Sequence, residues 1–182
     1  MHTLNALVVV LSLVGAASAQ EGPVPTVSPS VRPLDARGER ILARGLARSA
    51  SLRALVDEVS LLRAVAYVQM DSYLPLGLRG TTRLMGASGD IRRMVVLLNP
   101  RASDDDLVAM LAHELQHVAE MARARVTTTA EVEAHYRRHG IVGPVGRYET
   151  TEALAAGRRV QNELIASGPR ETHVPGGTIV LK

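Results

Sequence analysis

The stretch DDDLVAMLAHELQHVAEMAR, residues 104 to 123, decides how this chain is read. Ser103 stands ready to cap a helix, three aspartates fill the first turn where the helix dipole favours negative charge, and Asp106 follows the cap by three residues. A helix over 104–123 is therefore predicted. At 100° per residue Leu107, Leu111, Leu115 and Val118 fall on one stripe, and Met110 and Met121 extend it on the side of His113 and His117. The two histidines border the buried face of the helix.

That placement matters because HELQH, residues 113 to 117, fits the pattern H-E-x-x-H. On a helix, imidazoles four residues apart lie one turn apart on the same side, where both can reach one Zn²⁺. Glu114 is then placed to deprotonate water activated by the ion. The plain alternative is a pair of hydrogen-bonded helix histidines with a solvated glutamate.

A catalytic zinc site needs a third protein ligand and an open fourth position. Downstream candidates are Glu120, His135, His139, Glu149, Glu152 and His173. Glu120 lies two turns from His113 along the same helix axis, too far for all three groups to meet one ion. A histidine six residues after His117 is missing, since that position is Arg123. A last helix is predicted from about Tyr148, and on it Glu149 heads a stripe of Ala153, Ala156, Val160 and Leu164. A carboxylate leading a buried stripe needs a partner, and a metal is one. Attraction to the helix dipole is the other account of Glu149. Glu152 projects about 60° away from it and is the competing ligand. The small residues Ala153, Ala156 and Gly157 leave room for this helix to approach the HELQH helix closely.

Upstream of the motif, AVAYVQMD (64–71) reads as a strand, SYLPLGLRG (72–80) as a loop, and TTRLMGA (81–87) with IRRMVVLL (91–98) as a hairpin turning at Ser88-Gly89-Asp90. A small antiparallel sheet is thus expected before the motif. Two helices are expected between Asp35 and Leu62, the second capped by Ser51. Thr129 is expected to cap a short helix ending at Gly140, and HVPGGTIVLK to add an edge strand at the end of the chain.

Composition narrows the function. The 182 residues include no Phe, no Trp and four Tyr, so stacking platforms for single-stranded nucleic acid are absent. The net charge of +3 arises from arginines interleaved with acids, a mixed solvated surface and not a phosphate-binding stripe; no nucleic-acid partner is expected. Gly143-Pro144-Val145-Gly146 lacks the Lys-Ser/Thr of a phosphate loop. With no Cys, thiolate metal sites, thiol nucleophiles and disulfides are all excluded.

The first residues, MHTLNALVVVLSLVGAASAQ, combine an apolar run with Ala17-Ser18-Ala19, a small-x-small cleavage pattern. Residues 1–19 are read as a signal peptide, residues 20–35, with Pro23, Pro25, Pro29 and Pro33, as a linker or pro-segment, and residues 36–182 as one domain. The apolar run is short for a bilayer span, so an exported protein, periplasmic or extracellular, without a stable membrane span is expected.

His113-Glu114-Leu115-Gln116-His117, followed by Tyr148-Glu149-Thr150-Thr151, resembles the zincin metallopeptidases, specifically the gluzincin arrangement of two His and one Glu. The resemblance covers roughly residues 64 to 165 in order of elements, with motif identity limited to HExxH and one Glu. It implies an α+β zincin-like core, a zinc ion held by His113, His117 and Glu149, Glu114 as general base, and hydrolysis of a peptide or protein substrate added as a strand beside residues 91–98. The chain departs from the best-known pattern at Tyr148, where Asn precedes the ligand, and at Ala153, where an Asp supports the first His. Donors for a developing oxyanion are sought among Tyr148, His135, His139 and Arg147, with Tyr148 favoured because it adjoins Glu149. The alternative reading is a zincin-like domain that binds metal or a partner without turnover.

Overall fold

The computed structural model describes residues 30–142 and 148–168. Residues 1–19, read as a signal peptide, most of the Pro-rich stretch after them, and the strand expected in HVPGGTIVLK lie outside the described residues. Among the described residues no helix is long and apolar enough to cross a membrane.

The chain is α+β. In order it forms β1 (Val31–Pro33), α1 (Ala36–Arg48), α2 (Ala50–Leu61), β2 (Ala64–Met70), β3 (Gly80–Ser88), β4 (Ile91–Leu98), α3 (Asp104–Arg123), α4 (Thr129–His139), β5 (Ile141–Val142), β6 (Tyr148–Glu149) and α5 (Thr151–Ala166). The end of the Pro-rich stretch belongs to the fold and not to a linker: β1 pairs in parallel with β2, at an edge where Pro33 is tolerated. Asp35 then caps α1 by accepting from the Gly38 amide at 2.8 Å, and its other oxygen accepts from the Met70 amide at 2.9 Å. One carboxylate thereby ties the start of α1 to the end of β2.

The main sheet has the order β1-β2-β4-β3, so it is mixed and not antiparallel. β1, β2 and β4 run parallel, and only β3 runs against its neighbour. Residues 91–98 therefore form an interior strand, flanked on both sides, and the outer strand is β3. The hairpin between β3 and β4 turns where expected, at Gly89, whose φ of 58° is the left-handed conformation such a turn requires. Alternation sets the inner face of the sheet: Ala64, Ala66 and Val68 of β2 and Met94, Val96 and Leu98 of β4 are buried.

Helix α3 lies against this face over its full predicted length, 104–123. Ser103 caps it by accepting from the Asp106 amide, and its hydroxyl donates back to the Asp106 carboxylate at 2.7 Å. The acidic first turn is gripped from outside by Arg37 on Asp104, by Arg44 and Arg48 on Asp105, and by Arg79 on Asp106. Leu107, Leu111, Leu115 and Val118 are fully buried, each contributing about 1.5–3 kcal/mol by leaving water. α5 packs on the other side of α3, where Gly157 faces the Ala109 carbonyl and His113: a β-carbon at Gly157 would lie 3.3 Å from that oxygen and 3.4 Å from the His113 β-carbon. The caps of two helices fall one or two residues before the expected positions. Ser49, not Ser51, caps α2, and Thr128, not Thr129, caps α4, in each case the hydroxyl that reaches the third amide of the helix.

Candidate metal centre

The middle of α3 presents His113, Glu114 and His117 together, all less than 9% exposed. Helical spacing sets the two imidazoles edge to face with centroids 5.0 Å apart. The third group comes from outside the helix. Glu149 does not lie on α5 as expected; it ends the two-residue strand β6, just before Thr150, which caps α5 by accepting from the Ala153 amide. The extended backbone of β6 carries Glu149 towards the helix pair.

His113 Nε2 lies 2.9 Å from Glu149 Oε2, and His117 Nε2 lies 3.7 Å from the same oxygen. Oε2 is buried yet has no hydrogen-bond partner. A buried carboxylate oxygen set between two imidazoles, with no hydrogen bond of its own, is an arrangement that could hold a cation. Two ligands each ~2.1 Å from a tetrahedral Zn²⁺ stand ~3.4 Å apart, between these two separations. His113, His117 and Glu149 are the group of three metal-binding side chains that the described residues bring together. Glu152, the competing ligand, is exposed on the first turn of α5. His135 and His139 sit on α4, their rings tilted by 47° with centroids 5.0 Å apart. His173 and Arg147 lie outside the described residues.

Glu120, excluded as a ligand by its distance along the helix, has a different position. One turn beyond His117, its Oε2 stands 2.9 Å from His117 Nδ1, leaving Nε2 to face Glu149. Its Oε1 accepts from the Thr150 hydroxyl at 2.7 Å, and Tyr136 of α4 donates to Oε2 at 3.3 Å while standing 3.2 Å from His117 Nδ1. One carboxylate thus orients the His117 imidazole and anchors the cap residue next to Glu149. The i+3 spacing from His117 is a signal for Glu120; nothing in the sequence points to Tyr136. Replacing Glu120 by Ala is expected to weaken zinc binding about 10- to 100-fold, measured by competition with a chromophoric chelator.

Electrostatics at the site favour a proton on His117 and none on Glu149. Burial lowers the pKa of His117, but the carboxylates of Glu120 and Glu149 facing its two ring nitrogens, and the charge of Glu114, outweigh it and lift the value to about 10. Burial opposes ionisation of Glu149, and the two histidines overcome it, bringing the value to about 2. Glu114 moves upward because burial outweighs the histidines and its Thr82 hydrogen bond. Since His117 holds a proton through the neutral range and Glu149 holds none, an incoming cation must displace about one proton. Zinc affinity should therefore rise about tenfold per pH unit between pH 6 and 9, where chelator competition can follow it. In the ion-free chain the same raised pKa contributes stability that is complete below pH 6.5 and is lost as pH climbs through about 10.

A cleft of about 540 Å³ opens on the site. Its walls include Gly80, Thr82 and Leu84 of β3, Glu114 and His117 of α3, Val132 and Tyr136 of α4, and Tyr148 and Glu149 of β6. Tyr148, proposed from sequence as an oxyanion donor, is half-buried in this wall. Comparison with known protein families, with curated proteins and with solved structures found no match for this chain.

Proposed function

We propose that this chain is an exported zinc-dependent peptidase with a gluzincin-like site, in which His113, His117 and Glu149 hold the ion and Glu114 is the general base. The observation that carries the reading is the convergence of His113 and His117 on one Glu149 carboxylate oxygen, beside a cleft lined by Glu114, His117 and Glu149. Zn²⁺ bound there would supply Lewis-acid chemistry, acidifying water and polarising a carbonyl.

The chain's own residues supply the rest. Burial raises the pKa of the Glu114 carboxyl, which makes it a stronger base than an exposed carboxylate for taking a proton from water and passing it to the leaving amine. Tyr148, in the cleft wall beside Glu149, is the candidate donor to the developing oxyanion. Among the described residues β3 is the outer strand, and it replaces residues 91–98 as the strand beside which an extended peptide would lie. A bulge at Met85, between Leu84 and Gly86, interrupts the strand, and the part before it, Gly80–Leu84, lines the cleft. Screening the mature chain on a mixed peptide library with and without zinc tests the reading. No zinc-dependent cleavage would leave it without support.

A second reading, a zincin-like metal-binding domain without turnover, draws on Ala153. It is buried and provides no carboxylate to support His113. Hydrolysis that depends on both zinc and Glu114 would reject it.

A further inference from the structure

We infer that the position of Glu114 is set from outside its own helix by two residues of the outer strand: Thr82, which holds one carboxylate oxygen, and Gly80, whose missing side chain leaves space for the other. This rests on the reading of Glu114 as the general base. Thr82 and Gly80 are then positioning residues of that base.

The contacts are specific. The Thr82 hydroxyl donates to Glu114 Oε2 at 2.8 Å and stands 3.1 Å from the Glu114 carbonyl oxygen. It therefore grips both ends of the residue, the side chain and the backbone of the helix turn that carries it. A glutamate side chain has three torsions to fix, and its own helix constrains mainly the first. The hydroxyl selects among the remaining rotamers. Gly80, two residues earlier and so on the same face of β3, works by clearance. A β-carbon there would lie 2.7 Å from Glu114 Oε1, 3.1 Å from Glu114 Cγ and 2.9 Å from Met110 Cγ. Any side chain at residue 80 would push the carboxylate out of its place.

β3 is held to β4 through the pairs Gly80 with Leu98 and Thr82 with Val96, so both contacts are mounted on a paired strand and not on a loop. The same strand borders the cleft. Substrate seat and base are thus referenced to one rigid element, and a shift of β3 relative to α3 would move both together. A base must sit within hydrogen-bond reach of the proton it removes, which is why the position of this carboxylate bears on rate.

Three variants test the inference: Thr82→Val, which keeps shape and suits a strand but removes the hydroxyl; Thr82→Ser, which keeps the hydroxyl; and Gly80→Ala. Each is assayed for zinc content, thermal midpoint, kcat and KM on a cleaved peptide. Thr82→Val and Gly80→Ala are expected to keep one zinc per chain and lose about 10- to 100-fold in kcat, with KM within about twofold. Thr82→Ser is expected to stay near the parent. Crystal structures of the zinc-free parent and Thr82→Val provide a readout without turnover: one Glu114 rotamer in the parent, and a displaced or divided carboxylate in the variant. Parent-like kcat in Thr82→Val, or a Glu114 carboxylate that has not moved in its crystal structure, would overturn the inference. If the parent itself cleaves no peptide, the proposed function fails, and the crystallographic comparison still decides whether β3 positions Glu114.

Discussion

Under the proposed function, Glu114→Gln is expected to retain one zinc per chain and to lose about 10²- to 10⁴-fold in kcat, the range for removal of a general base while the ion stays. The substitution keeps the shape of the side chain and an oxygen able to accept from Thr82, so the fold and the ligand set are preserved. What it removes is the ability to take a proton. Glu114 is also a buried acid whose ionisation burial opposes, so a neutral amide in its place should leave the thermal midpoint unchanged or raise it. A rise in midpoint beside a collapse in kcat is the combination to seek, by calorimetry and by peptide cleavage on the same preparation. Unchanged kcat would show that another group handles the proton.

Metal content gives the second large effect. His113→Ala, His117→Ala and Glu149→Ala should each lose zinc on dialysis against a chelator that leaves the parent loaded. Each removes one of three donors, so the weakening should exceed the about 10- to 100-fold expected from loss of an orienting partner such as Glu120. Glu152→Ala, altering an exposed side chain on the first turn of α5, should keep its zinc. Plasma mass spectrometry of the four variants reads this directly. Retention of zinc by Glu149→Ala would move the third ligand elsewhere, and absence of zinc from the parent would reduce HELQH to a buried helix segment.

What the sequence reveals of this structure is what is local. Helix α3 is legible to both its ends because the Ser103 cap, the acidic first turn and the leucine stripe act within a few residues of one another. The hairpin at Gly89 is legible for the same reason. Strand order is not local. Placing residues 91–98 at the edge follows from their position before the motif, whereas the sheet inserts them between β2 and β3. A physical signal for that exists in the run Val95-Val96-Leu97-Leu98, apolar on both faces as an interior strand must be, against the polar Thr81-Thr82-Arg83 of β3. The buried stripe Ala153, Ala156, Val160 and Leu164 is legible, but the true start of its helix depends on the Thr150 hydroxyl reaching the Ala153 amide, which moves Glu149 off the helix. Its meeting with the histidines survives because extended backbone brings it to nearly the same place. Tyr136 enters the site from a separate helix, and no spacing in the chain announces it.

The site joins distant parts of a chain that has no cysteine. An ion held by His117 and Glu149 would close a loop of 32 residues (149 − 117) around α4, linking α3 to the start of α5. Treated as a covalent cross-link would be, such a closure removes freedom from the unfolded chain equivalent to about 3–4 kcal/mol. Zinc would then act on the chain as a reversible staple, gripping when the protein reaches a compartment that supplies the metal and letting go when a stronger chelator takes it away.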